Sequence, residues 1–192
     1  MKNIYIILLL SISIPSMIYN IIDDKSTIKW KGSKSTGAYH DGLISIDKGF
    51  INVNDSIIVD GEVNINMDSI TCTDIENPES NQYLISHLKN DDFFSVLDHP
   101  ISYLKILSVK HQNDNNYLLQ ADLTIKGQTH PIEFFANIQI NKDAAIATGK
   151  IEIDRSKYNI KYKSKTWYPD LGDRFINDIF ELYFNLVAIP NS

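Results

Sequence analysis

The chain has 192 residues, a length that suits one domain, and a domain of this size buries roughly 70% of the surface that its unfolded chain exposes. Its formal net charge of -6 argues against a nucleic-acid binder, because such proteins carry a basic face. The single cysteine, Cys72, excludes an intramolecular disulfide and a zinc site built from several thiolates.

The first residues have the layout of a secretory signal. Lys2 gives a positive start, and an uncharged apolar run follows from Ile4 to Ile14. This run is shorter than the roughly 20 residues that a membrane-spanning helix needs. Ser16 is the best small residue to precede a cleavage site. We therefore expect a signal peptide or an uncleaved N-terminal anchor over residues 1–20, a single β-barrel domain over residues 21–192, and export of the protein.

From residue 21 onward, apolar and polar residues alternate with a period of two, which is typical of strands with one buried and one wet face. The strongest runs are residues 57–67, 119–125, 132–140, 147–153 and 180–188, and weaker ones are Thr27–Ser33, Leu43–Val53 and Pro100–Lys110. In the first run, the alternation places Ile57, Val59, Gly61, Val63 and Ile65 on one face.

Short polar or glycine-containing segments separate these runs, for example Asn54-Asp55 and Lys126-Gly127. Strands that are joined by such short turns pair antiparallel. Eight or more amphipathic strands without alternating helices predict an all-β barrel or sandwich.

One segment between residues 73 and 97 departs from this alternation. Its apolar and histidine side chains recur at helical spacing in Tyr83, Leu84, His87 and Leu88. The spacing predicts one short helix over Asn81–Asn90, which we expect to lie across an end or a flank of the sheet.

Three motifs, in this order, resemble the YceI-like family. They are LISHLKNDDFF at residues 84–94 with His99-Pro100 after it, LTIKGQTHPI at residues 123–132, and IDRSKYNI at residues 153–160. The resemblance implies a lipocalin-like antiparallel β-barrel of about eight strands with one short helix in an insertion. It also implies a periplasmic or secreted protein that binds isoprenoid-chain lipids or similar amphiphiles.

The inward faces of such a barrel predict where an apolar ligand would lie. Small inward residues leave a lumen that can hold one ligand. The expected ligand-binding residues are Trp30, Val63, Ile65, Leu88, Phe93, Phe94, Leu123, Ile125, Phe134, Ala136, Ile151, Phe180 and Phe184.

A basic run near the C-terminus is interleaved with aromatic residues. On a strand, Lys161, Lys163 and Lys165 would share one face and could hold an anionic head group or touch an acidic lipid surface. The alternative is a solvated edge that lysines protect against aggregation. The candidate head-group residues are His87, Arg155, Lys161 and Lys163. A packing or capping role is the alternative for His87, and a structural ion pair with Asp154 is the alternative for Arg155.

The sequence offers no catalytic or metal-binding motif. Its five histidines show neither H-x-H nor H-E-x-x-H spacing, and no nucleophile elbow, P-loop or dinucleotide fingerprint occurs. We therefore expect a binding protein without catalytic residues, metal or cofactor, whose partner is an apolar small molecule and not a nucleic acid. A lipid-acting enzyme and a structural or stress barrel without ligand are the alternatives. A transient membrane contact and a homodimer are compatible with the sequence.

Overall fold

The structure is a computed structural model that describes residues 16–191. The apolar run that is expected to direct export lies outside the described residues. Within them, no helix combines the length and the apolar character that crossing a membrane requires.

The described part of the chain forms one α-helix and nine β-strands. Helix α1 spans Pro78–Lys89 and confirms the predicted short helix. The strands are β1 (Met17–Ile21), β2 (Thr27–Ser33), β3 (Tyr39–Asn54), β4 (Ile57–Asn66), β5 (Ile101–Asn113), β6 (Asn116–Ile125), β7 (Gln128–Ile140), β8 (Ala145–Asp154) and β9 (Ile179–Pro190).

The strands close into an antiparallel barrel. Each strand from β2 to β8 pairs with the next one in the chain, and β9 pairs back with β2. Strand β1 occupies the same position as β2, because both lie between β3 and β9. The barrel therefore has eight positions, one of them split between two strands, and the predicted barrel of about eight strands is confirmed.

Two of the hairpin turns contain two successive residues with a positive φ. Asp55 and Ser56 between β3 and β4 have positive φ, as do Lys126 and Gly127 between β6 and β7. Two successive positive φ values characterise the type I′ turn, whose twist matches that of the flanking strands. These turns end β3 and β6 where the sequence predicts breaks.

The strand phase follows the alternation in most of the barrel. Val63, Leu123 and Ile151 are buried as expected. The prediction is wrong for Ile57 and Val59, which are 50% and 43% exposed. Asn52 and Val53 of β3 pair with Asp60 and Ile58, so Val59 is an extra residue in β4, and Ile58 turns inward instead. A β-bulge of this kind reverses which residues face the core.

Helix α1 covers one end of the barrel. It lies in the connection between β4 and β5, and the preceding residue Asn77 caps it, since its side chain accepts a hydrogen bond from the Ser80 amide. Leu88 is buried, whereas Tyr83 is exposed, so the predicted stripe is wrong for Tyr83. We call this end of the barrel the helix end, and the opposite end, which carries the β3–β4, β5–β6 and β7–β8 turns, the turn end.

Candidate ligand cavity

The barrel encloses an apolar cavity of about 110 Å³. It runs between the two ends of the barrel, and the described residues that line it are all apolar. They are Ile21, Ile28, Ile51, Ile58, Val63, Ile65, Leu104, Ile106, Leu119, Leu123, Phe134, Ala136, Ile138, Ala145, Ala147, Ile151, Ile153, Leu182, Phe184, Leu186 and Ala188.

Some of the expected ligand-binding residues line this cavity and others do not. Those that line it are Val63, Ile65, Leu123, Phe134, Ala136, Ile151 and Phe184. Those that lie outside its wall are Trp30, Leu88, Phe93, Phe94, Ile125 and Phe180. The second group packs into the hydrophobic core with its members buried or half-buried.

Much of that second group closes the helix end of the barrel. Phe94 contacts Phe180 edge to face, with 6.3 Å between the ring centroids. Trp30 donates a hydrogen bond from Nε1 to the Thr71 carbonyl oxygen at 2.9 Å, which fixes the chain that leads into α1. In this structure these aromatic side chains contact other side chains of the protein, and not the cavity.

Sequence reasoning missed the other part of the cavity wall. Several of these residues, such as Leu182 and Leu186, belong to the same alternating faces as the expected ones. Others lie on the weaker strands β2, β3 and β5, where the alternation is less regular. Ile21 lies on β1, for which the sequence predicts no strand.

The small inward residues contribute unequally to the free space. Ala136 and Ala147 face the cavity. At Gly149, however, the ring of Phe184 occupies the space that a side chain would fill: a Cβ there would lie 2.6 Å from Cζ of Phe184. The expected lumen therefore comes from the alanines, and Gly149 instead admits an aromatic ring.

A second, solvent-open depression of about 550 Å³ lies at the helix end. Its wall consists of Asp91, Asp92, Lys126, Asn159, Lys161, Tyr162, Lys163, Tyr168 and Leu171. Charges of both signs therefore face it, which distinguishes it from the apolar cavity. Lys126 donates to the Asp91 carbonyl oxygen at 2.6 Å, and burial lowers the pKa of this lysine.

The expected lysine ladder is wrong. The segment from Lys161 to Lys165 forms turns and not a strand, and Lys163 has a positive φ of 48°. Strand periodicity does not apply to such a backbone. Lys161 and Lys163 nevertheless lie together at the depression, whereas Lys165 stacks over the ring of Phe175.

The head-group candidate His87 connects α1 to the loop beside it. Its ring packs edge to face on Phe93 and Tyr162, with centroid distances of 5.0 and 4.5 Å. Its Nε2 lies 3.2 Å from a carboxylate oxygen of Asp92. These contacts correspond to the packing role that was the alternative for this residue.

Arg155 is buried beneath the loop of residues 155–178. Its nitrogens donate hydrogen bonds to the backbone carbonyl oxygens of Ile160, Tyr162, Ile176 and Asn177. Its ion-pair partner is Asp178 and not the expected Asp154, which instead caps the following turn through Ser156. A head-group role does not fit Arg155, because its guanidinium is already engaged and shielded from solvent.

Polar clusters elsewhere in the described residues carry no metal-binding geometry. No group of three or more histidine, cysteine or acidic side chains in residues 16–191 is arranged to hold a metal ion. Cys72 is buried, and burial raises the pKa of its thiol.

Comparisons with known proteins identify the family of this architecture. Residues 19–188 match the family described as the YceI-like domain. The crystal structure of BcnA from Burkholderia cenocepacia is similar, with a TM-score of 0.68 and 18% identity over 87% of this chain and 98% of that one. A polyisoprenoid binding domain from Saccharophagus degradans, implicated in plant cell wall breakdown, gives a TM-score of 0.64 and 14% identity over 91% and 99%.

The YCEI protein of Campylobacter jejuni gives a TM-score of 0.54 and 19% identity, and the match covers 100% of this chain and 94% of that one. No curated protein matches the chain. At these identities, the solved structures establish a shared fold.

Proposed function

This chain belongs to the YceI-like family, and on that premise we propose that it is an exported protein that binds an isoprenoid-type lipid or quinone inside its barrel. The observation that carries the proposal is the wholly apolar cavity between the two ends of the barrel. A polar ligand would lose its hydrogen bonds with water there and gain none in return. A hydrocarbon chain makes no hydrogen bonds with water, so it loses none on entering the cavity, and burial of its apolar surface is favourable.

The magnitude of that burial favours a long apolar chain. Removing apolar surface from water contributes roughly 25 cal/mol per Å². A prenyl tail that buries several hundred Å² would therefore gain on the order of 10 kcal/mol before the costs of association.

The size of the cavity restricts how such a chain can be bound. An engineered cavity of about 150 Å³ binds benzene, which is close to one isoprene unit in size. The cavity of about 110 Å³ therefore holds a short length of chain as it stands. A longer chain requires inward side chains such as Leu104, Leu182 and Leu186 to change rotamer, so affinity should rise with chain length and then level off.

The isoprenoid class is supported by the similar domain of Saccharophagus degradans, which is described as polyisoprenoid binding. Binding is favoured over catalysis because a reaction needs polar groups that converge on the ligand, whereas the described lining of this cavity is apolar. The alternative is a barrel that binds no ligand, and titration with a prenyl analogue would then show no binding.

Export is supported by Lys2 and the apolar run that follows it. Cleavage after Ser16 would leave β1 complete, since that strand begins at Met17. N-terminal sequencing of the protein isolated from its native source tests this part: a sequence that starts at Met1 would refute cleavage.

Titration with a fluorescent prenyl analogue, compared with mass spectrometry of the apolar extract of the purified protein, tests lumen binding. Ala136→Trp places a large ring in the cavity, and it should weaken binding by at least about tenfold. Phe135→Trp is the matched control, because Phe135 is 62% exposed on the outer face of the same strand. Circular dichroism checks folding. If the folded Ala136→Trp variant binds like the parent, the ligand does not lie in the cavity.

A further inference from the structure

Both ends of the barrel are closed by side chains. The helix end is covered by α1 and the aromatic residues beneath it. At the turn end, Tyr19 is buried and donates its hydroxyl to the Asn141 carbonyl oxygen in the β7–β8 turn, at 3.0 Å. Val53 and Ile138 are buried at the same end. A ligand that reaches the cavity without opening either end must therefore cross the wall.

The wall lacks strand pairing in three places among the described residues. Residues 45–49 of β3 face the connection between β1 and β2, and Asp23 of that connection fills the gap by accepting a hydrogen bond from the Ile46 amide. Between β7 and β8, pairing covers only residues 136–140 with 145–149. Between β4 and β5, it covers only Gly61–Asn66 with Ile101–Ile106. The remaining parts of these strands pair only with their neighbours on the other side.

The gap between β7 and β8 is filled. His130 of β7 lies with its Nε2 2.9 Å from the Lys157 carbonyl oxygen. The same ring packs edge to face on Tyr158, with 5.1 Å between the centroids, and Tyr158 is almost fully buried. The turn that follows β8 thus seals this part of the wall.

The gap between β4 and β5, which we call the β4–β5 seam, is bounded by Ile57–Asp60 and Leu107–Asn113. Its rim is apolar and open to solvent at Ile57, Val59 and Leu107, which are 50%, 43% and 51% exposed, whereas the far part of the β5 side, from Lys110 to Asn113, is polar. The only acidic residue of the first segment turns away from the seam, since Asp60 accepts a hydrogen bond from Asn52 of β3.

The cavity begins directly behind this rim. Ile58 and Ile106 flank the seam on its inner side, and both line the cavity. The separation of the two strands has a local cause, because each carries a register irregularity at this point. In β4 the extra residue is Val59, and in β5 it is Leu107. Bulges bend a strand and end its pairing with a neighbour.

We propose that the β4–β5 seam is the portal through which the apolar chain of the ligand enters and leaves the cavity. This inference rests on the proposed function, because it specifies the route to the proposed lumen site. The exposed apolar side chains at the rim, with Ile58 and Ile106 behind them, give the chain apolar contacts on its way to the cavity, so less of its surface faces water during transfer.

A portal controls the rates of exchange and not the equilibrium. Leu107→Lys places a charge at the rim, outside the cavity wall, so association and dissociation of the prenyl analogue should both slow by roughly tenfold. The dissociation constant should change by less than about twofold. Phe135→Lys, an apolar-to-charged change at another exposed position on the barrel, should leave both rates unchanged. Stopped-flow fluorescence measures them.

A reversible cross-link across the β4–β5 seam provides a second test of the portal. Val59→Cys with Leu107→Cys, in a Cys72→Ser background, is bridged across the seam with a short reagent that couples two thiols through cleavable disulfides. Glu62→Cys with Lys105→Cys is the control pair, since these positions are directly opposite within the paired part of the same strands. Bridging the seam should prevent an empty barrel from loading and a loaded barrel from releasing, and reduction should restore both.

The outcomes separate this inference from the function on which it rests. If the unmodified protein binds no prenyl analogue, the proposed function fails. If it binds, and the bridged seam exchanges ligand as fast as the control pair, the portal is refuted and the route passes through one of the barrel ends. If Leu107→Lys weakens equilibrium binding without slowing association, the portal is refuted as well.

Discussion

The guanidinium of Arg155 faces the carboxylate of Asp178 at 3.4 Å, and the two residues tie the ends of a long loop to each other. Arg155 begins the loop and Asp178 precedes β9. Asp178 also accepts hydrogen bonds from the amide and the hydroxyl of Thr166 in the middle of the loop. A segment without strand or α-helix is therefore fixed by one buried cation and its counter-ion.

Arg155→Met should be strongly destabilising. It leaves four backbone carbonyl oxygens without their donor and Asp178 without its counter-ion. Breaking a buried pair by removing one partner costs about 3–5 kcal/mol. Urea unfolding measures the loss. Arg174→Met is the matched control, because Arg174 is exposed, and it should shift stability by less than about 0.5 kcal/mol. A small loss at Arg155 would show that the loop does not depend on it.

The same pair should make stability sensitive to acid. Burial alone would raise the pKa of Asp178, but hydrogen bonds from Ser164 and Thr166 and the charge of Arg155 outweigh it, and the pKa lies below its ordinary value of 3.8. A carboxyl group with a depressed pKa stabilises the fold above its unfolded pKa, and this contribution is lost as pH falls through the folded pKa.

We therefore expect Asp178→Asn to be less stable than the parent at neutral pH, with the difference shrinking as pH falls below about 4. Thermal unfolding across this range measures the difference. Asp24→Asn, at an exposed position, serves as the control. A difference that stays constant with pH would show that the charge of Asp178 does not stabilise the fold.

Gly149→Ala should destabilise the barrel through a steric clash. The added Cβ would lie 2.6 Å from Cζ of Phe184 and 2.8 Å from the Phe135 carbonyl oxygen, so the ring or the strand must move. Overpacking of this kind costs about 1–3 kcal/mol. Phe184→Leu in the same chain should recover part of the loss. Gly32→Ala is the control, since no heavy atom lies within 4 Å of its Cβ position.

The sequence predicts the barrel because successive side chains of a strand point to opposite faces of the sheet, so the alternation of apolar and polar residues shows which side chains face inward. The two adjacent phenylalanines of β7 illustrate this: alternation places Phe134 inward and Phe135 outward, and they are 8% and 62% exposed. The positions of these turns were also predictable, because Asp55 and Gly127 belong to the residue types that favour a positive φ, although Ser56 and Lys126 beside them do not.

Features that depend on pairing between distant segments were not predictable. A bulge is defined by the register of two strands, so no local signal shows that Ile58, and not Ile57, faces the core. The loop after β8 is set by Arg155 and its distant partners, which overrides the strand-like alternation of Lys161 and Lys163. Phe93 is a large apolar side chain, so the sequence predicts that it is buried. The sequence does not show whether a ligand or another part of the protein buries it.

Apolar burial should contribute more than charge to the affinity for the ligand. The depression at the helix end, with Lys126, Lys161 and Lys163, is the described site where an anionic head group would find lysines together. It is open to water and shares its wall with Asp91 and Asp92. An exposed ion pair contributes about 0–1 kcal/mol, and salt screens it.

Lys163→Ala should therefore weaken binding of the prenyl analogue by less than about fivefold, and raising the salt concentration should have a similarly small effect. Phe134→Asp should abolish binding or unfold the barrel, because it places a carboxylate in the apolar wall of the cavity. Titration at low and high salt, with circular dichroism to follow folding, measures each effect. If binding disappears at high salt while the fold persists, the affinity comes from charge at the depression, since screening weakens solvent-exposed pairs and leaves apolar burial intact.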